Sequence, residues 1–237
     1  MLPEFESAKA LFSPYSLEVS CETYQKLEEY AAFLVDYNEK VNLTAITDGD
    51  GILKKHFLDS LLLHSLCAEQ FPQNGKVLDI GSGAGFPGVP LALLRGDLDI
   101  TLLDSLNKRI VFLTQLCEKL GLHYTAVHGR AELMAKEELY REQFDVVTAR
   151  AVAALPTLAE YSLPFVKIGG FWLAMKGPSE ELKPALQAIR LLGGKLIDTH
   201  QYALPDGEER VIYVVKKVSP TPTKFPRNSG QIKAKPL

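Results

Sequence analysis

The chain is poor in cysteine and has no long apolar run. Its 237 residues include three cysteines, Cys21, Cys67 and Cys117, which are far apart and show no C-x-x-C spacing. This pattern supports neither a disulfide framework nor a zinc site, so we expect buried free thiols and no metal. No apolar run is long enough to span a bilayer, and the first residues lack the basic-then-apolar pattern of a signal peptide. These absences predict a cytoplasmic protein with no membrane segment.

Acidic residues outnumber basic ones outside the C-terminal end. The formal net charge is -3. The segment 216–237 nevertheless contains no acidic residue and six basic ones, which are Lys216, Lys217, Lys224, Arg227, Lys233 and Lys235. A Pro- and Lys-rich stretch of this kind is either a solvated tail or a phosphate-binding arm. Its composition predicts a basic, flexible tail over residues 219–237.

The most informative segment that is present is a glycine-rich loop after a short apolar run. Val77–Ile80 predicts a buried parallel strand, and Gly81, Gly83, Gly85 and Gly88 follow it. The apolar residues after the loop fit a helix that packs back onto the sheet. Glycine adopts positive φ at little cost and lets a ligand approach main-chain N–H groups at a helix N-terminus. The loop therefore predicts a nucleotide-like ligand.

Two binding patterns overlap in this loop. Gly83-x-Gly85-x-x-Gly88 matches the dinucleotide fingerprint, and Asp79-x-Gly81-x-Gly83-x-Gly85 matches the acidic pattern of S-adenosylmethionine (SAM) enzymes. A carboxylate just before the glycines repels a pyrophosphate, whereas it attracts the sulfonium and ammonium groups of SAM. Asp79 therefore favours SAM. A dinucleotide-binding redox protein stays open as the alternative.

Further charged residues follow the ends of the next predicted strands. The apolar run 100–103 ends at Asp104, 19 residues after Gly85. An acid at this offset can bind both ribose hydroxyls, although Asp at such a position also caps helices. The third, fourth and fifth predicted strands are followed by Glu132, Arg150 and Lys176. Because ligands of parallel sheets bind at the carboxyl ends of the strands, these residues are expected to share one site.

Strands and helices alternate through most of the chain. Predicted strands lie near 76–80, 99–103, 123–128, 143–148, 170–175, 195–202 and 209–217. Predicted helices lie near 88–95, 107–120, 131–138, 153–162 and 179–192. This alternation predicts an α/β fold with a seven-stranded, mostly parallel, doubly wound sheet. The short turn Pro205-Asp206-Gly207 predicts that the last strand is antiparallel.

The segment before the sheet shows helical periodicity. Apolar residues recur at three- and four-residue intervals between Leu27 and Val41, and residues 52–66 form a second apolar-rich helix. We therefore expect an N-terminal helical cap (residues 1–72), a ligand-binding core (residues 73–218) and the basic tail (residues 219–237).

Seven segments of the chain, in order and at compatible spacing, resemble one family. They are Tyr37-Asn38-Glu39-Lys40-Val41-Asn42-Leu43-Thr44, His56-Phe57-x-Asp59-Ser60, residues 81–88, Asp104-Ser105-x-x-Lys108-Arg109, Arg130-Ala131-Glu132, residues 149–153 and Lys176-Gly177. On these segments the chain resembles the GidB/RsmG methyltransferases, which form 7-methylguanosine in bacterial small-subunit ribosomal RNA. The tail resembles the family's Tyr-Pro-Arg ending, with Phe225 in place of the tyrosine.

The resemblance implies a class I SAM-dependent methyltransferase fold, which is Rossmann-like, with SAM as methyl donor and no metal. The residues expected to bind SAM are Asp79, Gly81, Gly83, Gly85, Phe86, Asp104, Ala131, Glu132 and Arg150. The implied reaction is methylation of N7 of a specific guanine in 16S rRNA. The implied partner is naked 16S rRNA or the 30S subunit, and we expect a monomer.

This chemistry needs little acid–base catalysis. Guanine N7 already carries a lone pair, so no general base is expected, and the rate depends on placement and on the local electric field. We expect Arg150 and Lys176 to position the substrate, with His56, Asp59 and Arg109 as supports. The alternative within the same enzyme class is a SAM-dependent methyltransferase of a small molecule or a protein.

Overall fold

A twisted sheet forms the centre of the molecule. The computed structural model describes residues 1–178 and 182–237, and within them the strands follow the order β3-β2-β1-β4-β5-β7-β6. The strands are β1 (Lys76–Ile80), β2 (Asp99–Asp104), β3 (Thr125–His128), β4 (Phe144–Arg150), β5 (Val166–Lys176), β6 (Gly194–Ala203) and β7 (Glu209–Lys217). The strands β1 to β5 run parallel, and β7 runs antiparallel to both β5 and β6. The predicted α/β fold with an antiparallel last strand is confirmed.

Helices cover both faces of this sheet. They are α1 (Phe5–Phe12), α2 (Cys21–Asn38), α3 (Gly49–Gly51), α4 (Asp59–Leu66), α5 (Gly88–Leu94), α6 (Asn107–Leu120), α7 (Ala131–Met134), α8 (Leu155–Ser162), α9 (Ala185–Leu191) and α10 (Ser229–Ala234). A π-helical segment, Ile52–Leu58, joins α3 to α4. The predicted second N-terminal helix therefore consists of this π segment and α4.

Three predicted boundaries differ from the structure by more than two residues. The fifth strand starts at Val166, earlier than predicted, because Gly169 and Gly170 form a bulge within the strand. Gly169 has φ +88°, and a Cβ on Gly170 would lie 2.6 Å from the Asp145 carbonyl oxygen. Glycines inside a strand often mark such a bulge. The helix predicted at 131–138 ends at Met134. The helix predicted at 179–192 starts on residues 179–181, which lie outside the described residues, and α9 covers its second half.

The N-terminal helices pack directly on one face of the sheet. Tyr30, Leu34 and Phe57 belong to the same hydrophobic cluster as Val77 and Val146 of the central strands. A second cluster, which includes Trp172, fills the opposite face under α8 and α9. The helical cap and the core therefore share buried apolar surface, and the boundary near residue 72 stays a prediction from sequence.

The C-terminal segment packs against the core. Arg227 donates to the fully buried carboxylate of Glu160 through its backbone N, Nε and Nη2, at 2.6–3.1 Å. Lys217 is fully buried, and its Nζ lies 3.0 Å from Oε1 of Glu142. Phe225 is 5% exposed and Ile232 is fully buried. The expectation of a flexible tail at 219–237 is therefore corrected. The acids that pair with these cations lie far away in sequence, so the composition of the segment did not reveal them.

The three thiols divide into two environments. Cys67 and Cys117 are buried, as expected, and burial raises the pKa of each to about 12. Cys21, at the start of α2, is exposed, which corrects the expectation for that residue. Within the described residues, no helix combines the length and apolar character needed to cross a membrane.

Candidate functional site

Two cavities adjoin at the carboxyl ends of the central strands. The first, here called the β2 cavity, has a volume of about 500 Å³. Its walls are Ile80, Gly81, Leu103, Asp104, Ser105, Leu106, Gly129, Arg130, Ala131, Glu132, Val152, Tyr161 and Lys233. The second, the β5 cavity, has a volume of about 460 Å³. Its walls are Ile46, Lys55, His56, Asp59, Arg150, Ala151, Met175, Lys176, Gly177, Tyr202, Glu208 and Arg210.

Asp104 is a buried, preorganised carboxylate in the wall of the β2 cavity. It is 2% exposed. Its Oδ2 accepts from the backbone N of Gly83 at 2.9 Å and from Nη1 of Arg109 at 3.2 Å, and its Oδ1 accepts from the backbone N of Leu106 at 2.9 Å. A carboxylate offers about four acceptor positions. Among the described residues three are used, so Asp104 keeps acceptor capacity for a ligand hydroxyl.

The glycine loop shapes the wall of the β2 cavity, and its N–H groups at Gly81, Ser82 and Gly83 are already hydrogen-bonded within the protein. The backbone N atoms of Gly81 and Ser82 donate to the Leu103 carbonyl oxygen at 2.7 and 3.2 Å. The N–H of Gly83 is taken by Asp104. Gly81 has φ +67°, and a Cβ there would lie 2.7 Å from Cγ2 of Val152 across the wall. A ligand therefore meets the bare Cα of Gly81, while the loop N–H groups hold β2.

Asp79 lies behind the loop. It is fully buried, and its Oδ2 accepts from the backbone N of Gly88 at 3.1 Å. Its Oδ1 has no hydrogen-bond partner among the described residues. Burial raises the pKa of Asp79 to about 7. Asp79 thus fixes the start of α5, and direct contact with a bound cation stays a prediction.

Phe86 and Gly85 tie the loop to the N-terminal helices. The Phe86 ring stacks on Tyr30 at 5.3 Å and on His56 at 4.4 Å between ring centroids. A Cβ on Gly85 would lie 2.6 Å from Oη of Tyr30. Tyr30 also donates from Oη to the Ala84 carbonyl oxygen. These contacts explain why the loop needs a small residue at position 85, and they place Phe86 in an aromatic stack behind the cavity.

Of the residues predicted to bind the cofactor, four line the β2 cavity: Gly81, Asp104, Ala131 and Glu132. Glu132 is 5% exposed, and its Oε1 accepts from Nε of Arg130 at 2.7 Å. Two further wall residues, Tyr161 and Lys233, were missed in the sequence. They come from α8 and α10, and only the packing of those helices brings them to the cavity.

Arg150 lies in the β5 cavity, where acids and carbonyls fix its guanidinium. Its Nη1 donates to Oδ2 of Asp59 at 2.8 Å and to the Lys55 carbonyl oxygen at 3.0 Å. Oη of Tyr202 donates to the other Asp59 oxygen at 2.7 Å. The guanidinium also lies 5.0 Å from the centroid of the Phe86 ring. Asp59, named from the sequence as a support of the positioning residues, forms a direct ion pair with Arg150, and its role in positioning the substrate stays a prediction.

His56 is neutral in this arrangement. Nδ1 lies 3.4 Å from Nη2 of Arg150, and Nε2 lies 2.8 Å from Oγ1 of Thr44. Because arginine only donates, this contact assigns Nδ1 as the acceptor and places the proton on Nε2. Burial and, second, the Arg150 charge lower the pKa of His56 to about 4. At neutral pH His56 therefore positions Arg150 and Phe86 without carrying charge.

The β5 cavity is rich in cations. Among the described residues its walls carry Lys55, Arg150, Lys176 and Arg210 against two carboxylates, Asp59 and Glu208. Asp59 pairs with Arg150, Glu208 pairs with both Lys55 and Arg210, and Asp206 also pairs with Lys55. Nζ of Lys176 donates to the Ala153 carbonyl oxygen at 2.5 Å. Arg109 does not share this cavity: its Nη1 bonds to Asp104 beside the β2 cavity. Its predicted support of the acceptor side is corrected to support of Asp104.

A single short segment separates the two cavities. Arg150 and Ala151 line the β5 cavity, and Val152 lines the β2 cavity. Ala151 has φ +54°, a left-handed conformation that is uncommon outside glycine. The chain reverses here between the end of β4 and the start of α8. Only a few residues of the chain therefore separate a group bound in one cavity from a group bound in the other.

The described residues contain no group of three or more histidine, cysteine, aspartate or glutamate side chains that could hold a metal ion. The expectation of no metal stays a prediction.

The fold is shared with SAM-dependent methyltransferases. A TehB-like SAM-dependent methyltransferase from Corynebacterium glutamicum aligns with a TM-score of 0.53 at 16% identity, over 78% of this chain and 98% of that chain. A branched-chain polyamine synthase from Thermus thermophilus aligns with a TM-score of 0.55 at 12% identity, over 69% of this chain and 57% of that chain. At such identities the likeness shows the fold alone, which is the class I SAM-dependent methyltransferase fold.

The sequence comparisons define the family. The family model for rRNA small subunit methyltransferase G, GidB, matches residues 23–205. The ribosomal RNA small subunit methyltransferase G of Clostridium botulinum (strain Eklund 17B) is 45% identical over 225 residues, covering 93% of each chain. That of Lactobacillus delbrueckii subsp. bulgaricus is 47% identical over 229 residues, covering 95% of this chain and 96% of the relative. The chain belongs to the GidB family of small-subunit ribosomal RNA methyltransferases, and the resemblance seen in the sequence is confirmed.

Family and fold together imply SAM as the methyl donor. The β2 cavity fits this group, because Asp104 keeps acceptor capacity in a wall where Gly81 leaves no Cβ. A dinucleotide-binding redox protein, the alternative left open by the glycine pattern, is not supported by these relatives.

Proposed function

We propose that the protein transfers the methyl group of SAM to N7 of a specific guanine in 16S rRNA. The observation that carries the proposal, beside family membership, is the pair of adjoining cavities with different charge. The β2 cavity has two buried carboxylates, Asp104 and Glu132, and its two cations, Arg130 and Lys233, are exposed, whereas the β5 cavity has more cations than carboxylates in its wall. A cationic methyl donor suits the first, and an anionic RNA suits the second.

The β2 cavity is assigned to SAM, which supplies an electrophilic methyl group on a sulfonium. Asp104 accepts hydrogen bonds from the ribose hydroxyls, and Ala131 and Glu132 flank the adenine. Gly81 lets the nucleoside lie close to the main chain. Asp79, Gly83, Gly85 and Phe86 act one layer behind, by holding the loop and the start of α5.

The β5 cavity is assigned to the target guanine. The N7 lone pair would form the new bond to the methyl carbon while the carbon–sulfur bond breaks and its electron pair stays on sulfur. The leaving group would be S-adenosylhomocysteine, no proton would leave the base, and the positive charge would move from sulfur to the purine. His56 is neutral and Asp59 is bonded to Arg150 and Tyr202, which agrees with a site that needs no general base. Arg150 and Lys176 bind base or phosphate oxygens and hold N7 in line with the methyl group.

The substrate must present an unstacked guanine. Enzymes that act on a base in RNA take it out of the stack or select one that is already exposed. We propose that the partner is 16S rRNA, alone or within the 30S subunit, and that the protein acts as a cytoplasmic monomer without a metal.

The experiment is methyl transfer from labelled SAM to 16S rRNA and to 30S subunits, with digestion to nucleosides. We expect labelled 7-methylguanosine at one position. Replacement of Lys176 by Ala is expected to lower the transfer rate by about 100-fold and to leave the Kd for SAM within about twofold.

The matched control is Lys167→Ala, which removes a lysine from the opposite end of the same strand, where it pairs with Asp145. This variant should transfer at the wild-type rate. Loss of SAM binding together with transfer in Lys176→Ala would contradict the assignment of Lys176 to the acceptor side. SAM binding with no label in RNA would instead favour a small-molecule or protein acceptor.

A further inference from the structure

A buried ion pair helps to hold the C-terminal segment beside the β2 cavity, together with hydrogen bonds from Arg141 to the carbonyl oxygens of Thr221 and Phe225. Glu160 on α8 is fully buried, and Arg227 bonds to both of its carboxylate oxygens. Nη1 of Arg227 also donates to the Lys235 carbonyl oxygen at 3.0 Å. The same arginine thus fixes the start and the end of the stretch that contains α10. Oδ1 of Asn228 caps this helix by accepting from the backbone N of Gln231 at 2.9 Å.

This anchoring brings Lys233 into the wall of the β2 cavity. Ile232, its neighbour, is fully buried and fixes the register of α10. Lys233 itself is exposed and lines the cavity together with Asp104, Glu132 and Tyr161. Among the described residues its ammonium has no hydrogen-bond or ion-pair partner. The fold therefore fixes the place of Lys233 on α10 at the cavity wall, and no described side chain competes with a ligand for its ammonium.

The other wall residues show what such a donor would complete. Asp104 and Glu132 are acceptors, and Arg130 is already bonded to Glu132. Carboxylates suit the hydroxyls of a ribose and the amino group of adenine, but they offer nothing to the ring nitrogens or the ribose oxygens, which are acceptors. These atoms need donors, and Lys233 supplies a charged one beside the hydroxyl groups of Ser105 and Tyr161.

We propose that Lys233 is a cofactor-binding residue that donates a hydrogen bond to an acceptor atom of the adenosine part of SAM. The inference rests on the proposed assignment of the β2 cavity to SAM. Lys233, Tyr161 and Glu132 come from α10, α8 and α7, and both α7 and α10 pack against α8. Because Glu132 is assigned to the adenine, we place Lys233 beside the nucleoside and not at the methionine end. Phosphate of RNA is a poorer occupant, because the same wall carries Asp104 and Glu132.

The test is calorimetric binding of SAM, S-adenosylhomocysteine and 5′-methylthioadenosine to the full-length protein and to Lys233→Ala. The last ligand lacks the amino-acid end. We expect Lys233→Ala to weaken all three ligands by about tenfold, the usual size of one hydrogen bond to a charged donor. The matched control is Lys235→Ala, an exposed lysine of the same segment whose side chain lies outside the cavity wall. It should bind all three ligands with wild-type affinity.

Three results would overturn the inference. Unchanged affinities in Lys233→Ala would remove the residue from the cofactor site. A loss confined to SAM and S-adenosylhomocysteine would place it at the amino-acid end. Weaker RNA binding with unchanged SAM affinity would make it a phosphate contact. In each case SAM binding by the wild-type protein leaves the proposed function intact, whereas a wild-type protein that does not bind SAM contradicts both.

Discussion

Two glycines of the same loop differ in what they contribute. Gly81 and Gly83 both have positive φ, +67° and +60°. A Cβ on Gly81 would lie 2.7 Å from Cγ2 of Val152, whereas a Cβ on Gly83 would lie at an ordinary contact distance, 3.7 Å, from the Gly81 carbonyl oxygen. Gly83 is therefore required only by its backbone conformation. Gly81 is required by its conformation and by the space that it leaves at the cavity wall.

This difference predicts distinct effects of alanine at the two positions. Each substitution should lower the free energy of unfolding by about 1–2 kcal/mol, because an L-residue is strained at positive φ. Gly81→Ala should also weaken SAM binding by about tenfold or more, since Val152 must move into the β2 cavity. Gly83→Ala should leave the Kd for SAM within about threefold. Thermal unfolding and calorimetry measure both quantities. Equal losses of SAM affinity in the two variants would show that backbone strain, not the space at Gly81, controls the cavity.

The burial of Asp79 changes the charge that its side chain is expected to carry. From the sequence alone, the Asp79 carboxylate is expected to attract the positively charged groups of SAM. The structure surrounds it with apolar atoms, and burial raises the pKa of Asp79 to about 7. Near neutral pH the group is partly protonated, which weakens its field. Its hydrogen bond to Gly88 is then its principal structural contribution.

At the scale of elements, the helical cap is joined to the sheet by a polar link. Lys55 and His56 belong to the π-helical segment, and Asp59 opens α4. All three contact Arg150 at the end of β4. π-Helical turns often occur at functional sites. Here the segment presents a carbonyl oxygen, a ring nitrogen and a carboxylate to one guanidinium.

Removing the charge of Asp59 should therefore cost more than removing one of its hydrogen bonds. Asp59 is 3% exposed and accepts from both Arg150 and Tyr202. Asp59→Asn should lower the free energy of unfolding by about 2–4 kcal/mol, because it leaves a partly buried guanidinium with an uncharged partner. Tyr202→Phe should cost about 1 kcal/mol. Urea denaturation compares the two variants. Similar costs would mean that the Asp59–Arg150 ion pair adds little beyond a neutral hydrogen bond.

The sequence predicted correctly those helices and strands that are defined by the pattern of apolar residues within the element itself. The strand at 76–80 and the helix at 107–120 have the predicted bounds, because an apolar run or a helical period is sufficient to define each. The π-helical segment has no such period of its own. The bulge at Gly169 was missed because two glycines in sequence resemble a strand boundary. What they do depends on the neighbouring strand, since Asp145 supplies the backbone that approaches Gly170.

At the scale of the whole molecule, the unpredicted parts of the site are those made by contacts distant in sequence. Asp104 and Glu132 follow predicted strands, so the topology of the sheet placed them together. Lys233 reaches the same cavity through contacts distant in sequence, among them the pairing of Arg227 with Glu160, 67 residues apart, and the burial of Ile232. A basic, Pro-rich composition describes the segment but does not contain its acidic partner. The structure also argues against the segment as an RNA-binding arm, because Arg227 is paired with Glu160 and Lys217 with Glu142.

The shared hydrophobic cluster argues that cap and core unfold together. Tyr30 and Phe57 pack with strand residues, so separation at residue 72 would expose apolar surface on both parts. The chain provides two probes for this prediction. Trp172, its single tryptophan, is fully buried on the opposite face of the sheet. Cys21 is exposed on α2 and can be labelled with a dye in the native state, since the thiols of Cys67 and Cys117 are buried.

We expect urea unfolding followed by Trp172 fluorescence and by the Cys21 label to give one transition, with midpoints that agree within error. Coincident transitions from separate probes indicate two-state behaviour. The control is Cys21→Ser, which should show the same Trp172 transition and thereby exclude an effect of the label. An earlier transition of the label alone would show that residues 1–72 form an independent unit. The predicted boundary at residue 72 would then separate two units that unfold at different urea concentrations. In that case the Asp59–Arg150 ion pair would break at a lower urea concentration than the one that unfolds the sheet.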